Sequence, residues 1–295
     1  MNVQPQTMRA TLSDGAVLNY CECGAGEAII LLHGGMGDMA SWRPQMEAFA
    51  PYFRTISYSR RFSHPNRNGL RLVDEPATSD AGDLIEFMQE VCINRAHLVG
   101  TSYGALVALV FALKWPARVL SLVLAEPPLH PWVKDLPGKE ALHDHFMREV
   151  WNCAADLFRR GRSRQAMTIL ATAFGRSGKA ARCVRTGDRL RNIRAMKALV
   201  LSKNPFPRLE REAVQRLRLP MLVVRGEASD QLHTSGTVEL ELLARQCQSA
   251  VISAAGHRAS VENPEGFNRA VLDFLKSAGP THGSEGPLNL GPRDS

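Results

Sequence analysis

Six cysteines in 295 residues are few and scattered. The closest, Cys21 and Cys23, have one residue between them and no second pair or histidine cluster at ligand spacing, so neither a zinc site nor a disulfide framework is indicated. Cys92, Cys153, Cys183 and Cys247 read as buried, reduced thiols. No apolar run approaches the roughly 18 residues that a membrane span needs. The opening MNVQPQTMRATLSDG carries neither a basic nor an apolar leader segment, so the expectation is a cytoplasmic chain with no membrane partner. The phosphate loops GxxxxGK[ST] and G-x-G-x-x-G are missing too, which argues against nucleotides; no cofactor and no metal are expected. Aromatic residues make up only 6% and are not interleaved with the basic ones, so the formal charge of +7 does not read as a nucleic-acid surface.

What is present is enough apolar material, 44% against 22% charged, for a substantial core. Short runs rich in Val, Ile and Leu recur at 16–20, 28–35, 54–60, 96–102, 120–126, 220–227 and 249–257, and read as strands buried on both faces. Segments 79–91, 105–116, 234–247 and 264–278 carry helical periodicity between or after them. Alternation of this kind predicts an α/β chain with a largely parallel sheet covered on both sides. The stretch 127–220 breaks it: helices follow one another with no convincing strand, over a length no simple loop would have. The expected organisation is a core of 1–126 and 221–278, a helical cap of 127–220, and a disordered tail of 279–295. The cap holds 20 of the 36 basic and 8 of the 29 acidic residues, a balance of +12, which leaves −5 for the rest.

Where the run 96–102 ends, Gly100-Thr101-Ser102-Tyr103-Gly104 leads directly into an apolar helix. That is the G-x-S-x-G elbow in the strand-turn-helix context it requires, and it makes Ser102 the candidate nucleophile. A serine hydroxyl needs a base to take its proton, and His257 stands after the last strand where such a base belongs. His233 is placed to reach the rim of a pocket. Two acids compete to orient His257. Asp230 lies in the turn after the run 220–227, one residue beyond the usual acid position, which Ser229 occupies; it also suits a helix N-cap. Glu126 emerges from the end of the buried run LSLVLAE, where a carboxylate is costly unless paired. Glu126 is favoured. For the oxyanion, the N–H of Tyr103 and the glycine-rich loop His33-Gly34-Gly35-Met36-Gly37 supply donors, Gly35 first and Met36 next, with His33 bracing the loop. Phe62, Trp132, Phe146, Trp151 and Phe206 are candidates to line an apolar, substrate-binding pocket.

With these residues in place, residues 8–278 resemble the α/β-hydrolase family, in the form with an eight-stranded, mostly parallel sheet and a helical cap after the sixth strand. The segments YSRRFSHPN, VGTSYGALVAL, LVLAEPP and GHRASVENPEGFNRAVLDFL look like a bacterial subgroup that keeps the Glu of LAEPP as its acid. Ser59-Arg60-Arg61-Phe62 departs from the Asp-x-x-Gly-x-Gly turn of many members. More narrowly, the chain is similar to the EstX-like cassette esterases and macrolide esterases associated with antibiotic-resistance genes. The resemblance implies hydrolysis of a carboxylic ester or lactone through an acyl-enzyme on Ser102, the macrolide lactone among the substrates. C–C hydrolysis or perhydrolysis on the same triad is the enzymatic alternative, and a ligand receptor that kept the pocket is the non-enzymatic one. Epoxide hydrolases and haloalkane dehalogenases of the family need a carboxylate where Ser102 stands.

Overall fold

The computed structural model describes residues 6–175 and 190–278. Strands β1 (Gln6–Thr11), β2 (Val17–Cys23), β3 (Ala28–Leu32), β4 (Arg54–Tyr58), β5 (Ala96–Thr101), β6 (Val119–Ala125), β7 (Met221–Gly226) and β8 (Cys247–Ile252) form one sheet in the order β1-β2-β4-β3-β5-β6-β7-β8. The pairs β1–β2 and β2–β4 are antiparallel and all the other pairs parallel. Strand β1 escapes sequence reading because four of the six residues of its run QTMRAT are polar and only Met8 and Ala10 are apolar. Strands β3, β5, β6 and β7 are buried on both faces under two helical layers, whereas β8, read from the sequence as buried, lies at the sheet edge with Gln248, Ser249 and Val251 exposed. In β3, Ile30 and Leu32 point into one core with Leu84, Leu106 and Phe111, while Ile29 and Leu31 point into the other with Trp42, Phe49 and Phe267.

Helices α1 (Arg43–Phe49), α2 (Pro76–Glu90) and α3 (Tyr103–Lys114) follow their strands. Helix α3 is apolar around its whole circumference, since it lies under α2 and against the sheet; Leu106 through Leu109 are fully buried. Between β6 and β7 every described element is helical: α4 (His130–Asp135), α5 (Glu140–Phe146), a π-helical turn (Met147–Trp151), α6 (Asn152–Arg159), α7 (Ser163–Phe174), α8 (Ile193–Val200) and α9 (Arg211–Arg216). The chain closes with α10 (Gln231–Leu243), α11 (Ala259–Glu262) and α12 (Pro264–Ala278). Helix α10 starts three residues before the sequence reading placed it because Asp230 caps it, accepting from the His233 N–H at 3.2 Å. Among the described residues no helix is long and apolar enough to cross a membrane.

The cysteines require a correction. Cys92 and Cys153 are exposed and Cys247 is half-buried, whereas Cys23 is the buried one. Cys92 sits in the turn after α2 with a left-handed backbone, φ +56°, a place set by chain reversal rather than by apolarity. Cys183 and the tail 279–295 lie outside the described residues.

Candidate active site

The sheet order changes direction between β3 and β5, and the loops at the C-terminal ends of β3, β5, β6, β7 and β8 open there on one crevice. Ser102 stands between β5 and α3 with φ +52° and ψ −123°, a conformation that costs an L-residue about 1–2 kcal/mol. The chain holds it by the Ser102 N–H on Ala125 O, 2.7 Å, and by close approach of its neighbours. A Cβ at Gly100 would lie 2.6 Å from Gly104 O, and one at Gly104 would lie 2.1 Å from Leu32 O, so both positions admit only glycine.

His257 is carried by the loop after β8, where Gly256 N–H donates to Glu262 at 2.6 Å and Ala228 N–H donates to Ala255 O at 2.8 Å. Its Nε2 lies 3.0 Å from Ser102 Oγ and its Nδ1 lies 2.7 Å from Glu126 Oε2. An ionised carboxylate only accepts, so Nδ1 bears the proton and Nε2 is left to accept from the serine. Burial, then the nearby His233 charge, hold His257 below the ordinary imidazole pKa against the pull of Glu126.

Glu126 itself is 2% exposed and also takes a left-handed backbone, φ +47°. Its Oε1 accepts from Gly226 N–H at 2.8 Å and from Ser229 Oγ–H at 2.5 Å. Burial works to raise this carboxyl, but the bonds from His257 and Ser229 outweigh it and the net pKa falls. The structure thus brings Glu126, and not Asp230, to His257. Asp230 is turned away to its own helix: Oδ1 takes the His233 Nδ1–H at 2.8 Å, and its pKa, which burial would raise, is lowered to about 2 chiefly by that bond. A one-residue displacement along the turn thereby puts Ser229 beside Glu126 and leaves Asp230 capping α10.

The His233 ring stacks on His257, centroids 3.7 Å apart and 29° between planes. Polar atoms of Glu126, His233 and His257 lie within 4.8 Å of one another. They do not suit a metal, because stacked rings direct their in-plane lone pairs side by side and both Glu126 oxygens are already engaged.

Ser102, His257 and His233 open on a cavity of about 220 Å³, with Gly34, Gly35, Met36 and Tyr103 on its wall. Among the described residues, the N–H groups of Gly35, Met36 and Tyr103 donate to no protein acceptor, as an oxyanion site requires. His33 is buried, bonds Gly34 O through Nδ1 at 2.8 Å, and accepts the Arg60 N–H at Nε2, 3.1 Å. Trp151 and Phe206 line the cavity.

Phe62, Trp132 and Phe146 do not. Phe62 borders a separate space of about 20 Å³ behind Tyr103. Trp132 is turned into the packing between α4 and α9, its Nε1–H on Leu209 O at 2.7 Å and the Arg211 guanidinium 5.2 Å over its ring. Phe146 sits one layer back, stacked on His130 at 4.7 Å. Sequence reasoning missed His130, Phe174, Met196 and Leu199, which complete the apolar wall. It also missed Asn192, 1% exposed, whose Nδ2 donates to Met36 O at 3.1 Å and whose Oδ1 accepts the His64 N–H at 2.8 Å. Nothing in an Arg-rich helical stretch marks that asparagine out.

The model of the alpha/beta hydrolase fold matches residues 27–264. The chain is 27% identical over 255 residues to carboxylesterase YbfK of Bacillus subtilis, covering 84% of this chain and 80% of that one. It is 26% identical over 275 residues to a 2-hydroxy-6-oxo-6-phenylhexa-2,4-dienoate hydrolase of Comamonas testosteroni, covering 88% and 91%. Among solved structures, the fold superposes on a thermophilic esterase from Thermogutta terrifontis with a TM-score of 0.75 at 21% identity, over 92% of this chain and 99% of that one. With the sheet order, the serine elbow and a match over most of its length, the chain belongs to the α/β-hydrolase family.

Proposed function

We propose that the protein is a serine hydrolase that cleaves a carboxylic ester or lactone through an acyl-enzyme. The observation that carries this reading is the unbroken line Ser102 Oγ, His257 Nε2, His257 Nδ1, Glu126 Oε2, with separations of 3.0 and 2.7 Å at its two hydrogen bonds. His257 takes the serine proton as Oγ attacks the carbonyl carbon, and Glu126 steadies the imidazolium that forms. The N–H groups of Tyr103 and of Gly35 or Met36 hold the oxyanion. The imidazolium then protonates the leaving oxygen. Water, deprotonated by His257 in turn, releases the acid and returns Ser102 to its starting state. The similarity to a carboxylesterase over most of the chain supports the same reading.

A short-chain nitrophenyl ester tests it. Wild type should give a burst of nitrophenol and a covalent acyl group on Ser102, and Ser102→Ala neither; no burst and no adduct would refute the mechanism. Within this reading, a macrolide lactone is the proposed substrate, on the resemblance of the quoted segments to macrolide esterases, and a gain of 18 Da on the antibiotic checks it. The likeness to a C–C bond hydrolase at comparable identity favours a second substrate class, a dienoate ketone, on the same triad.

A further inference from the structure

We propose that Arg60 is the positioning residue of the oxyanion site, fixing the carbonyls of Gly34 and Gly35 so that the N–H groups of Gly35 and Met36 face the substrate. This rests on the ester-hydrolase reading and adds to it a residue outside the triad. Arg60 is 6% exposed and its guanidinium reaches both halves of the site. Nη2 donates to Gly34 O at 3.3 Å and to Gly35 O at 3.4 Å, Nη1 pairs with Asp80 Oδ2 at 3.0 Å, and Cζ lies 4.6 Å from the centre of the Tyr103 ring.

A trans peptide is planar, with its C=O and N–H pointing in opposite directions. The carbonyl of Gly34 shares a peptide with the N–H of Gly35, and the carbonyl of Gly35 shares one with the N–H of Met36. Holding the two carbonyls toward Arg60 therefore turns those two N–H groups away from it, toward the cavity that both residues line. Glycines impose little on their own peptides, so an outside anchor must decide which way these planes face. His33 Nδ1 and the Gly37 N–H, at 2.8 and 3.0 Å, also bind Gly34 O. For Gly35 O, Arg60 is the anchor among the described residues. Arg60 borders the small space behind Tyr103, not the cavity around Ser102, so it acts through the loop and does not touch substrate. Asp80 balances its charge, which leaves orientation of the peptides as its contribution.

The test uses the full chain and a nitrophenyl ester, with kcat expressed per site titrated by the burst so that a misfolded fraction does not count. For Arg60→Met, kcat per site should fall about 10- to 10²-fold, part of what loss of a whole oxyanion donor costs, with KM within about threefold. Affinity for a trifluoromethyl ketone should fall in step with kcat, and Arg60→Lys should recover part of both. An unchanged kcat per site, or a loss carried by KM, overturns the proposal. If Arg60→Met does not fold, Arg60→Lys and Asp80→Asn carry the same test, and full kcat in both overturns it. A wild type with no burst refutes the hydrolase reading and this inference with it; an active wild type matched by its Arg60 variants refutes the inference alone.

Discussion

Replacing Glu126 by glutamine keeps the shape of the side chain and removes its charge. The consequence follows from which atoms face it. Oε1 receives two donors, Gly226 N–H and Ser229 Oγ–H, and Oε2 receives His257 Nδ1–H. In Glu126→Gln the amide oxygen must take the Oε1 side, because a backbone N–H can only donate. The NH₂ group then faces His257 Nδ1, which gives up its proton to become an acceptor, and the ring shifts to the tautomer with hydrogen on Nε2. That nitrogen can no longer take the proton of Ser102. The variant also loses the attraction between carboxylate and imidazolium in the transition state. At a charge separation of about 4 Å and an effective dielectric constant of about 20, this is about 4 kcal/mol, or about 10³-fold in rate.

Steady-state kcat for a nitrophenyl ester, again per titrated site, measures the loss. The comparison that decides is Asp230→Asn. Asp230 bonds His233 and caps α10, with no contact to His257, so its variant should keep kcat within about tenfold. Full activity in Glu126→Gln with a 10³-fold loss in Asp230→Asn would refute the assignment of the acid.

The pH profile offers a second measurement. In the proposed mechanism neutral His257 is the base, so kcat/KM rises with pH through its pKa, and since burial and His233 depress that pKa the midpoint of the acid limb should fall below about 6.5. His233→Phe keeps a ring against His257 while removing the charge, and should move the midpoint upward; a downward move would contradict the stacking electrostatics. At the elbow, Gly104→Ala drives a methyl to 2.1 Å from Leu32 O, between α3 and β3, and should destabilise the fold by about 3 kcal/mol in urea titration.

Much of this site was open to sequence reading because its chemistry lies at the ends of apolar runs. Ser102 and Glu126 directly follow β5 and β6, whose unbroken apolar runs, buried on both faces, made them visible, and His257 stands in the loop after β8. Strand β1 was not visible, for its polar run gains a place in the sheet from pairing with β2 instead of from burial. The cavity wall was not visible either. Phe62, Trp132 and Phe146 are large aromatics in the expected region, yet composition does not say which side of a helix faces the cavity and which faces the next helix. That choice is made by partners such as Leu209 and Arg211 for Trp132, which are 77 and 79 residues away in the chain.

The position of the acid shows how such a site tolerates change. What His257 requires is a carboxylate oxygen beside Nδ1, and the ends of β6 and β7 are adjacent, Ala125 pairing with Val224, so either strand can deliver it. From β7 the acid would stand at residue 229, three beyond Gly226. Here Ser229 stands there, and a serine supplies the opposite function, an O–H for a carboxylate arriving from β6. The left-handed backbone of Glu126, costly for a residue with a side chain, is the turn that brings its carboxylate across. Asp230, which His257 does not engage, pairs instead with His233, whose ring stacks on that of His257. With the carboxylate arriving from β6, a second imidazole, that of His233, lines the cavity beside His257 and is placed to meet whatever the cavity binds.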